Sequence, residues 1–228
     1  MIELALAAAL IAQDSVIVAP HRISRDELEA LRPDFTEGWS MCDQLDAGRP
    51  HTDCALQTGA GREFNLFFTF SDMEDGREMI DLSIMNLDGI LVQTMAYATE
   101  SFFYPSLIDL NGDGMEELLV PIMTGNVNTT YNLSIGSEYG FELTASELNG
   151  YGVDALDGGM FKVSARGSAI AHYIEFYRID GTALENIASI ELSYDGVETE
   201  DGGPNCRLTN GGEDLGEAHF CSLAMDNQ

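Results

Sequence analysis

The chain has 228 residues, of which 45% are hydrophobic, so it is long enough and apolar enough to bury a substantial core. Its 39 acidic residues outnumber 10 basic ones and give a formal net charge of −29. This charge disfavours nucleic acid and anionic membranes as partners, because binding either one requires Lys and Arg. It favours a basic protein as partner, or it serves only solubility in a saline or calcium-rich medium.

Residues 1–13 have the pattern of a secretory signal peptide. Residues 4–12 are apolar, too few to span a bilayer and typical in length of a signal-peptide core. We expect cleavage near Ala12 or Gln13, and a periplasmic or secreted bacterial protein that is not inserted in the membrane afterwards. Glu3 stands where Lys or Arg is usual. This leaves two alternatives open, a misassigned start or a buried strand or helix.

Residues 14–60 are predicted to form a helical N-terminal section that also carries a disulfide. A short helix is predicted over 24–31, since Ser24 and Glu27 have the spacing of a capping box. Pro33 then ends the helical pattern, because proline lacks the backbone N–H that a continuing helix needs.

The four cysteines fall into two close pairs. Local pairing of Cys42 with Cys54 and of Cys206 with Cys221 is the simplest connectivity. Each bridge would contribute roughly 3 kcal/mol under the chain-entropy model. The segment between the second pair is rich in Gly and acidic residues and is predicted to have little core-forming potential. Disulfides agree with export, whereas four reduced thiols in a cytosolic protein are the alternative.

Residues 61–228 are predicted to form a mainly β domain. Asp-Gly pairs recur between short apolar runs, which is a strong indication of β-hairpins. No long helical pattern separates these runs, so a parallel α/β sheet is not expected. We therefore predict antiparallel hairpins in a propeller-like or sandwich domain, preceded by one short N-terminal helix. The predicted strands cover residues 64–70, 79–85, 90–95, 102–108, 118–123, 173–178 and 187–192.

Residues 109–117 carry the pattern of a calcium loop. The side-chain oxygens of Asp109, Asn111 and Asp113 fall at alternate positions, and the carboxylate of Glu117 closes the run. Met115 would contribute its backbone carbonyl. Ca²⁺ takes about six to eight oxygen ligands, and a tight loop delivers them at this spacing. The alternative is a metal-free turn between two strands, because Asp, Asn and Gly also dominate ordinary turns.

The loop differs from an EF-hand at its C-terminal end. An EF-hand has a bidentate Glu at its twelfth position, inside a helix. Here the twelfth residue is Val120, within the branched apolar run 118–123 that favours a strand. The predicted arrangement is strand, metal loop, strand. We therefore expect calcium to hold two strands together, not to open the protein.

This loop resembles the calcium loop of FG-GAP/VCBS-type β-propeller repeats. The resemblance implies that Asp109, Asn111, Asp113 and Glu117, with the Met115 carbonyl, ligate Ca²⁺. Over about residues 100–195 the order of short motifs is also loosely similar to small periplasmic proteins related to lysozyme inhibitors and to immunity proteins against peptidoglycan hydrolases. Those motifs are Gly125-Asn126, Tyr131, Gly140-Phe141, Glu147-Leu148, Arg166-Gly167-Ser168 and 173–178.

The second resemblance implies a partner-binding site at Arg166, Ser168 and Tyr173. Its partner would be a basic protein such as a lysozyme-like hydrolase. The favoured hypothesis is nevertheless broader. It is a non-catalytic, calcium-binding exported protein whose β domain binds a protein or a glycan.

No catalytic constellation is visible in the sequence, since its four histidines are scattered and lack a ligand spacing or a nucleophile partner. A calcium-dependent glycoside hydrolase stays as an alternative, because two carboxylates suffice and their separation is not a sequence property. Trp39 with Tyr97, Tyr104, Tyr131 and Tyr151 would form a sugar-stacking platform or, as we expect, serve as core and rim aromatics.

Overall fold

The computed structural model describes residues 39–59, 64–86, 88–194, 204–212 and 215–225, with the side chain of Ala145 excepted. The predicted signal peptide over 1–13 and the predicted helix over 24–31 lie outside these residues. Within the described part of the chain, no helix combines the length and the apolar character that a membrane crossing requires.

The described residues form three sheets in which strands adjacent in sequence are also adjacent in space. The first sheet contains β1 (Ser40–Met41), β2 (Cys54–Gln57), β3 (Phe64–Asp72), β4 (Glu78–Asn86) and β5 (Leu91–Thr99). The second contains β6 (Ser106–Ile108), β7 (Glu117–Thr124), β8 (Thr129–Ser137) and β9 (Gly140–Gly150). The third contains β10 (Gly152–Leu156), β11 (Met160–Arg166), β12 (Ala171–Asp180), β13 (Ala183–Ser193) and β14 (Asn205–Gly211).

Apart from the parallel pair β1 and β2, the paired strands run antiparallel, so the prediction of a mainly β fold built from hairpins is confirmed. The Asp-Gly pairs at Asp75 and Asp180 close hairpins, and the glycine after each adopts a positive φ. Only glycine adopts this backbone conformation without strain, which is why the pair marks a turn.

The predicted strand over 102–108 is too long. The structure places only Ser106–Ile108 in β6, and both Phe102 and Phe103 are exposed. The reason is local, because the Phe103 N–H donates to the Ser101 Oγ at 3.1 Å and turns the chain before it can pair.

The second sheet contributes side chains to two separate cores. Leu118 and Val120 pack in one core with residues of the first sheet, such as Phe68. Leu119, between them, packs in another core with Phe161 and Val163 of the third sheet. A strand buried on both faces reads as an unbroken apolar run, which explains the sequence of β7.

The described residues end in a helix that the sequence did not predict, α1 (Gly216–Met225). Phe220, Cys221 and Ala224 of this helix are buried against the third sheet. The expectation that the segment within the second cysteine pair has little core-forming potential is therefore wrong at its C-terminal end. Glycine and acidic residues are the commonest in the segment, with three of each, but its one phenylalanine, Phe220, is in the core.

Both predicted disulfides are present. Cys42 bonds to Cys54 and Cys206 bonds to Cys221, at sequence separations of 12 and 15 residues. The first bridge joins Cys42, at the start of the 3₁₀ turn Cys42–Gln44, to Cys54, the first residue of β2, and so fixes the turn to the first sheet. The second bridge joins β14 to α1 and keeps the helix on the third sheet.

Candidate functional site

The acidic loop, residues 109–117, connects β6 to β7 at one end of the second sheet. Gly112 and Gly114 both adopt positive φ, at 72° and 84°. A side chain at either position would be strained by the backbone, although the space beside each is open. The sequence pattern therefore encodes a real conformational requirement, with glycine where the chain reverses.

Asp109 organises the first half of the acidic loop. Its Oδ1 accepts a hydrogen bond from the Gly112 N–H at 2.8 Å, and its Oδ2 accepts one from the Gly114 N–H at 3.0 Å. The carboxylate thus draws the loop backbone around itself, as aspartate does in tight turns.

Asn111 and Asp113 repeat this arrangement over shorter spans. The Asn111 Oδ1 accepts from the Asp113 N–H at 2.9 Å, and the Asp113 Oδ1 accepts from the Met115 N–H at 2.7 Å. The Asn111 side-chain amide also donates to the Asp113 Oδ2 at 3.0 Å. The alternate side chains that the sequence singled out are consequently brought together in one turn.

Glu117 is the first residue of β7 and is fully buried. Its Oε2 accepts a hydrogen bond from the Leu110 N–H at 2.7 Å, which ties the two ends of the acidic loop together. Burying a carboxylate is costly unless hydrogen bonds or positive charge compensate it. This residue is therefore the part of the loop for which a cation would matter most.

The acidic loop also touches the other two sheets. Glu116 Oε1 accepts from the Gly59 N–H, which follows β2, at 2.8 Å. On the other side, a Cβ placed on Gly159, in the turn between β10 and β11, would lie 3.2 Å from the Asn111 carbonyl oxygen. The loop therefore lies where all three sheets meet, which spacing along the chain alone does not reveal.

The donor set of the acidic loop fits a hard cation in its chemistry. A carboxylate carries about four lone-pair sites, so an oxygen that accepts one N–H retains a site for a metal. Within the described residues, however, no three His, Cys, Asp or Glu side chains lie close enough to hold a metal ion. The set that the sequence indicates mixes Asp109, Asp113 and Glu117 with the amide oxygen of Asn111 and a backbone carbonyl. Calcium binding therefore stays a prediction.

Arg166, Ser168 and Tyr173 lie at the opposite end of the molecule, around the hairpin between β11 and β12. The Arg166 Nε donates to the Ser168 carbonyl at 3.1 Å. The ring of Tyr173 covers Gly167 so closely that a Cβ there would lie 2.2 Å from it. The structure thus groups the three residues, on a different surface from the acidic loop.

The same end carries exposed apolar side chains that the sequence did not single out as a surface. Five residues define this apolar rim: Phe102, Phe103, Met123, Val127 and Ile170. Met123 lies near the end of β7, and the other four stand in three loops, two of which follow β5 and β7 and one of which joins β11 to β12. The adjacent pair Phe102-Phe103 is the available indication of this surface, but it lies within the predicted strand over 102–108, where apolar residues are expected to be buried.

Hydrogen bonds join these three loops to one another. The Ser101 and Thr124 hydroxyls lie 2.7 Å apart. The Asn128 amide donates to the Arg166 carbonyl at 3.1 Å and accepts from the Arg166 N–H at 2.9 Å. These hydrogen bonds hold the segments that carry the apolar rim together at one end of the molecule.

A buried charged cluster lies beneath the surface at the end of the molecule that carries the apolar rim, which we call the rim end. Glu78, the first residue of β4, accepts from the Arg49 Nε at 2.7 Å and from the His51 N–H at 2.9 Å, and lies 2.9 Å from His51 Nδ1. Burial opposes ionisation of Glu78, but these hydrogen bonds outweigh it and hold its pKa below the usual value. His51 also stacks on Phe70, with ring centroids 4.7 Å apart.

A cleft of about 290 Å³ opens on the third sheet near the same end. Its lining residues are Tyr151, Gly152, Asp154, Lys162, Ser164, His172 and Ala224. The Tyr151 hydroxyl lies 3.3 Å from His172 Nδ1. Burial, and to a lesser degree the nearby Arg166 guanidinium, lower the pKa of His172.

The aromatic platform considered from the sequence is not assembled. Tyr97 is buried in the core of the first two sheets, and Trp39 packs edge-on against Phe67 with centroids 5.0 Å apart. Tyr104 packs against His51. Of the tyrosines named, Tyr151 alone is both exposed and part of the cleft.

Comparison with known proteins adds little. The chain matches no protein-family model and no curated protein. A solved structure described as a Xanthomonas protein related to the type IV secretion system matches with a TM-score of 0.46 and 11% sequence identity. The match covers 70% of this chain and 89% of that chain. A similarity of this size establishes neither a shared fold nor a shared function.

Proposed function

We propose that this is an exported, non-catalytic protein in which a calcium ion at the acidic loop holds the β domain together. The proposal is supported by the position of the loop, which contacts Gly59, just after β2 of the first sheet, and approaches Gly159, just before β11 of the third sheet. Asp109, Asn111, Asp113, Glu117 and the Met115 carbonyl would hold the ion. Its positive charge would compensate the buried carboxylate of Glu117.

Export is supported by the two disulfides. Disulfides persist in oxidising compartments such as the periplasm and the extracellular medium, and are rare in the cytosol. Both bridges anchor elements of the described fold, β2 in one case and α1 in the other. We therefore propose a periplasmic or secreted bacterial protein.

Calcium binding is tested by thermal unfolding with calcium and with EDTA. For calcium at about 100 times its dissociation constant, linkage gives roughly 2.7 kcal/mol, or a Tm about 5–10 °C higher. Asp113→Ala should melt at the temperature of the EDTA-treated wild type in either medium. The matched control is Asp88→Ala, an exposed Asp-Gly turn position that keeps the calcium response. Unchanged wild-type melting in EDTA contradicts the proposal.

The binding role is proposed for the apolar rim. Connected exposed apolar surfaces of this kind are typical of protein–protein interaction sites. The net charge of −29 attracts a basic protein and speeds its association at low salt. The partner we propose is therefore a basic protein that docks apolar side chains onto Phe102, Phe103 and Met123.

Inhibition of a lysozyme-like hydrolase is a second candidate for this role. The observation that favours it is the grouping of Arg166, Ser168 and the exposed Tyr173 beside Ile170 of the apolar rim. Muramidase assays against several lysozyme types test it, with Tyr173→Ala compared with Tyr139→Ala, a tyrosine that is 84% exposed at the other end of the molecule. The candidate requires inhibition that Tyr173→Ala weakens and Tyr139→Ala does not.

A further inference from the structure

We propose that the cleft on the third sheet binds a neutral hexopyranose unit of an oligosaccharide. The groups that would recognise it are Tyr151, Asp154, Ser164 and His172. This role goes beyond the calcium loop and the apolar rim, and it depends on neither of them. It rests on the aromatic faces of the cleft, on its hydrogen-bonding groups and on its charge.

Three aromatic rings lie next to one another in T-shaped and tilted contacts, and two of them, Tyr151 and His172, line the cleft. The rings of Tyr151 and His172 lie 5.8 Å apart at an interplanar angle of 72°, and those of His172 and Tyr194 lie 5.2 Å apart. Tyr151 is 47% exposed, so part of its ring remains accessible to a ligand. A pyranose ring has an apolar face of C–H groups that packs on such an aromatic surface, while its hydroxyls stay at the edge.

The hydrogen-bonding groups match a ligand rich in hydroxyls. Asp154 offers two acceptor oxygens, and the Ser164 hydroxyl both donates and accepts. The lowered pKa of His172 favours the neutral imidazole, which pairs one donor with one acceptor. Each sugar hydroxyl is likewise a donor and an acceptor, so the cleft can satisfy several at once.

The backbone holds these groups in a fixed relation. The Tyr151 N–H donates to the Ser164 carbonyl at 2.7 Å, at the corner where β9 passes into β10. A Cβ on Gly150 would lie 2.4 Å from the same carbonyl oxygen, so glycine is required for this close approach. Binding groups held by paired strands lose little conformational freedom when a ligand enters.

The charge of the cleft argues for a neutral ligand. Lys162, the single lysine of the chain, is buried, and its Nζ donates to the Leu223 carbonyl at 3.2 Å near the end of α1. A cation there stabilises the last carbonyls of the helix. Asp154 lies opposite Lys162 in the register and disfavours an anion. The Arg166 guanidinium, which is close enough to lower the pKa of His172, disfavours a cationic ligand.

The size of the cleft limits the ligand. Its volume of about 290 Å³ is at the small end of ligand sites. It suits one or two sugar rings more than a long chain, so we expect a terminal or single internal unit to carry the binding. We expect weak binding, with a dissociation constant on the order of 1 mM.

Titration of the full chain with three neutral tetrasaccharides tests the inference. Cellotetraose, maltotetraose and the tetramer of N-acetylglucosamine are added separately, and binding is measured by saturation-transfer NMR and calorimetry. At least one should bind, and Tyr151→Ala should weaken that binding about fivefold to tenfold, as expected for losing one aromatic contact. Asp154→Asn should weaken it as well.

The matched control is Tyr139→Ala, which removes a more exposed tyrosine from the turn between β8 and β9 and should bind like the wild type. Unchanged melting temperatures verify that the variants fold. The inference is overturned if none of the three tetrasaccharides binds, or if Tyr151→Ala and Tyr139→Ala behave alike. Competition by inorganic phosphate would also overturn it, because the cleft would then be an anion site.

Discussion

The two ends of the β domain each bury a glutamate, and the surroundings of the two carboxylates differ. Glu78 and Glu117 are both buried, and each is the first residue of its strand. At the rim end, Arg49 brings a guanidinium to Glu78 at 2.7 Å. At the loop end, Glu117 belongs to a turn that also carries Asp109 and Asp113. A bound cation would do for Glu117 what Arg49 does for Glu78.

This difference parallels the two roles that we propose, stability at the acidic loop and binding at the apolar rim. In the acidic loop, the polar side chains accept hydrogen bonds from the loop's own backbone, which gives the loop a defined shape. Its carboxylates concentrate negative charge at this end. The rim end leaves apolar side chains at the surface and puts its compensating charges underneath, on Glu78 and Arg49. Under the proposed function, the acidic loop with its bound cation would contribute stability while the rim end keeps apolar side chains exposed.

The largest effect is expected for Glu117→Gln, and it should depend on calcium. In calcium the variant should lose roughly 3 kcal/mol, because the closing carboxylate of the site is gone. In EDTA the loss should be much smaller, since a neutral amide avoids burying a charge. Chemical denaturation in both media measures this.

Glu138→Gln is the control for this variant, since it makes the same charge change at an exposed position of the same end. It should leave stability unchanged in both media. An equal loss for Glu117→Gln in calcium and in EDTA would show that calcium does not compensate the charge of Glu117.

A smaller loss, independent of calcium, is expected for Glu78→Gln. The hydrogen bonds from His51 and Arg49 lower the pKa of Glu78 in the folded state below its ordinary value of 4.5. A depressed pKa contributes stability that is present above the unfolded value and is lost as pH falls through the folded value. The variant should therefore be about 2 kcal/mol less stable than the wild type at pH 7.

The difference in stability between Glu78→Gln and the wild type should disappear as the pH falls below about 4.5. Denaturation midpoints measured between pH 7 and pH 3 would follow it. Glu74→Gln, an exposed position in the neighbouring turn, controls for the change in net charge. A stability difference that stays constant over this pH range would mean that the ionised carboxylate of Glu78 contributes nothing to stability.

The smallest effect on stability is expected for Phe103→Ser at the apolar rim. Surface substitutions of this kind usually change stability by less than about 0.5 kcal/mol. Retention on a hydrophobic column should nevertheless fall. It should fall more than for Ile90→Ser, which removes a single exposed side chain from the turn between β4 and β5. Equal retention changes would show that the rim is not a connected surface.

The local pattern was enough to predict the hairpins. Asp-Gly turns and branched apolar runs identified β3, β4, β12 and β13 to within a few residues, because turn chemistry and period-two burial are properties of neighbouring residues. The local pattern failed at Phe102, where an apolar residue is exposed, and at α1, where Phe220 is buried in a segment rich in glycine and acidic residues.

By itself the sequence determined the antiparallel β class, both disulfide pairings and the grouping of Asp109, Asn111 and Asp113 in one turn. Each of these depends on residues close together in the chain. Only the tertiary structure decided that the acidic loop meets all three sheets, that Glu78 finds Arg49, and that Tyr151, Asp154 and His172 share a cleft. Those relations join residues of different hairpins, and packing, which no local pattern records, brings them together.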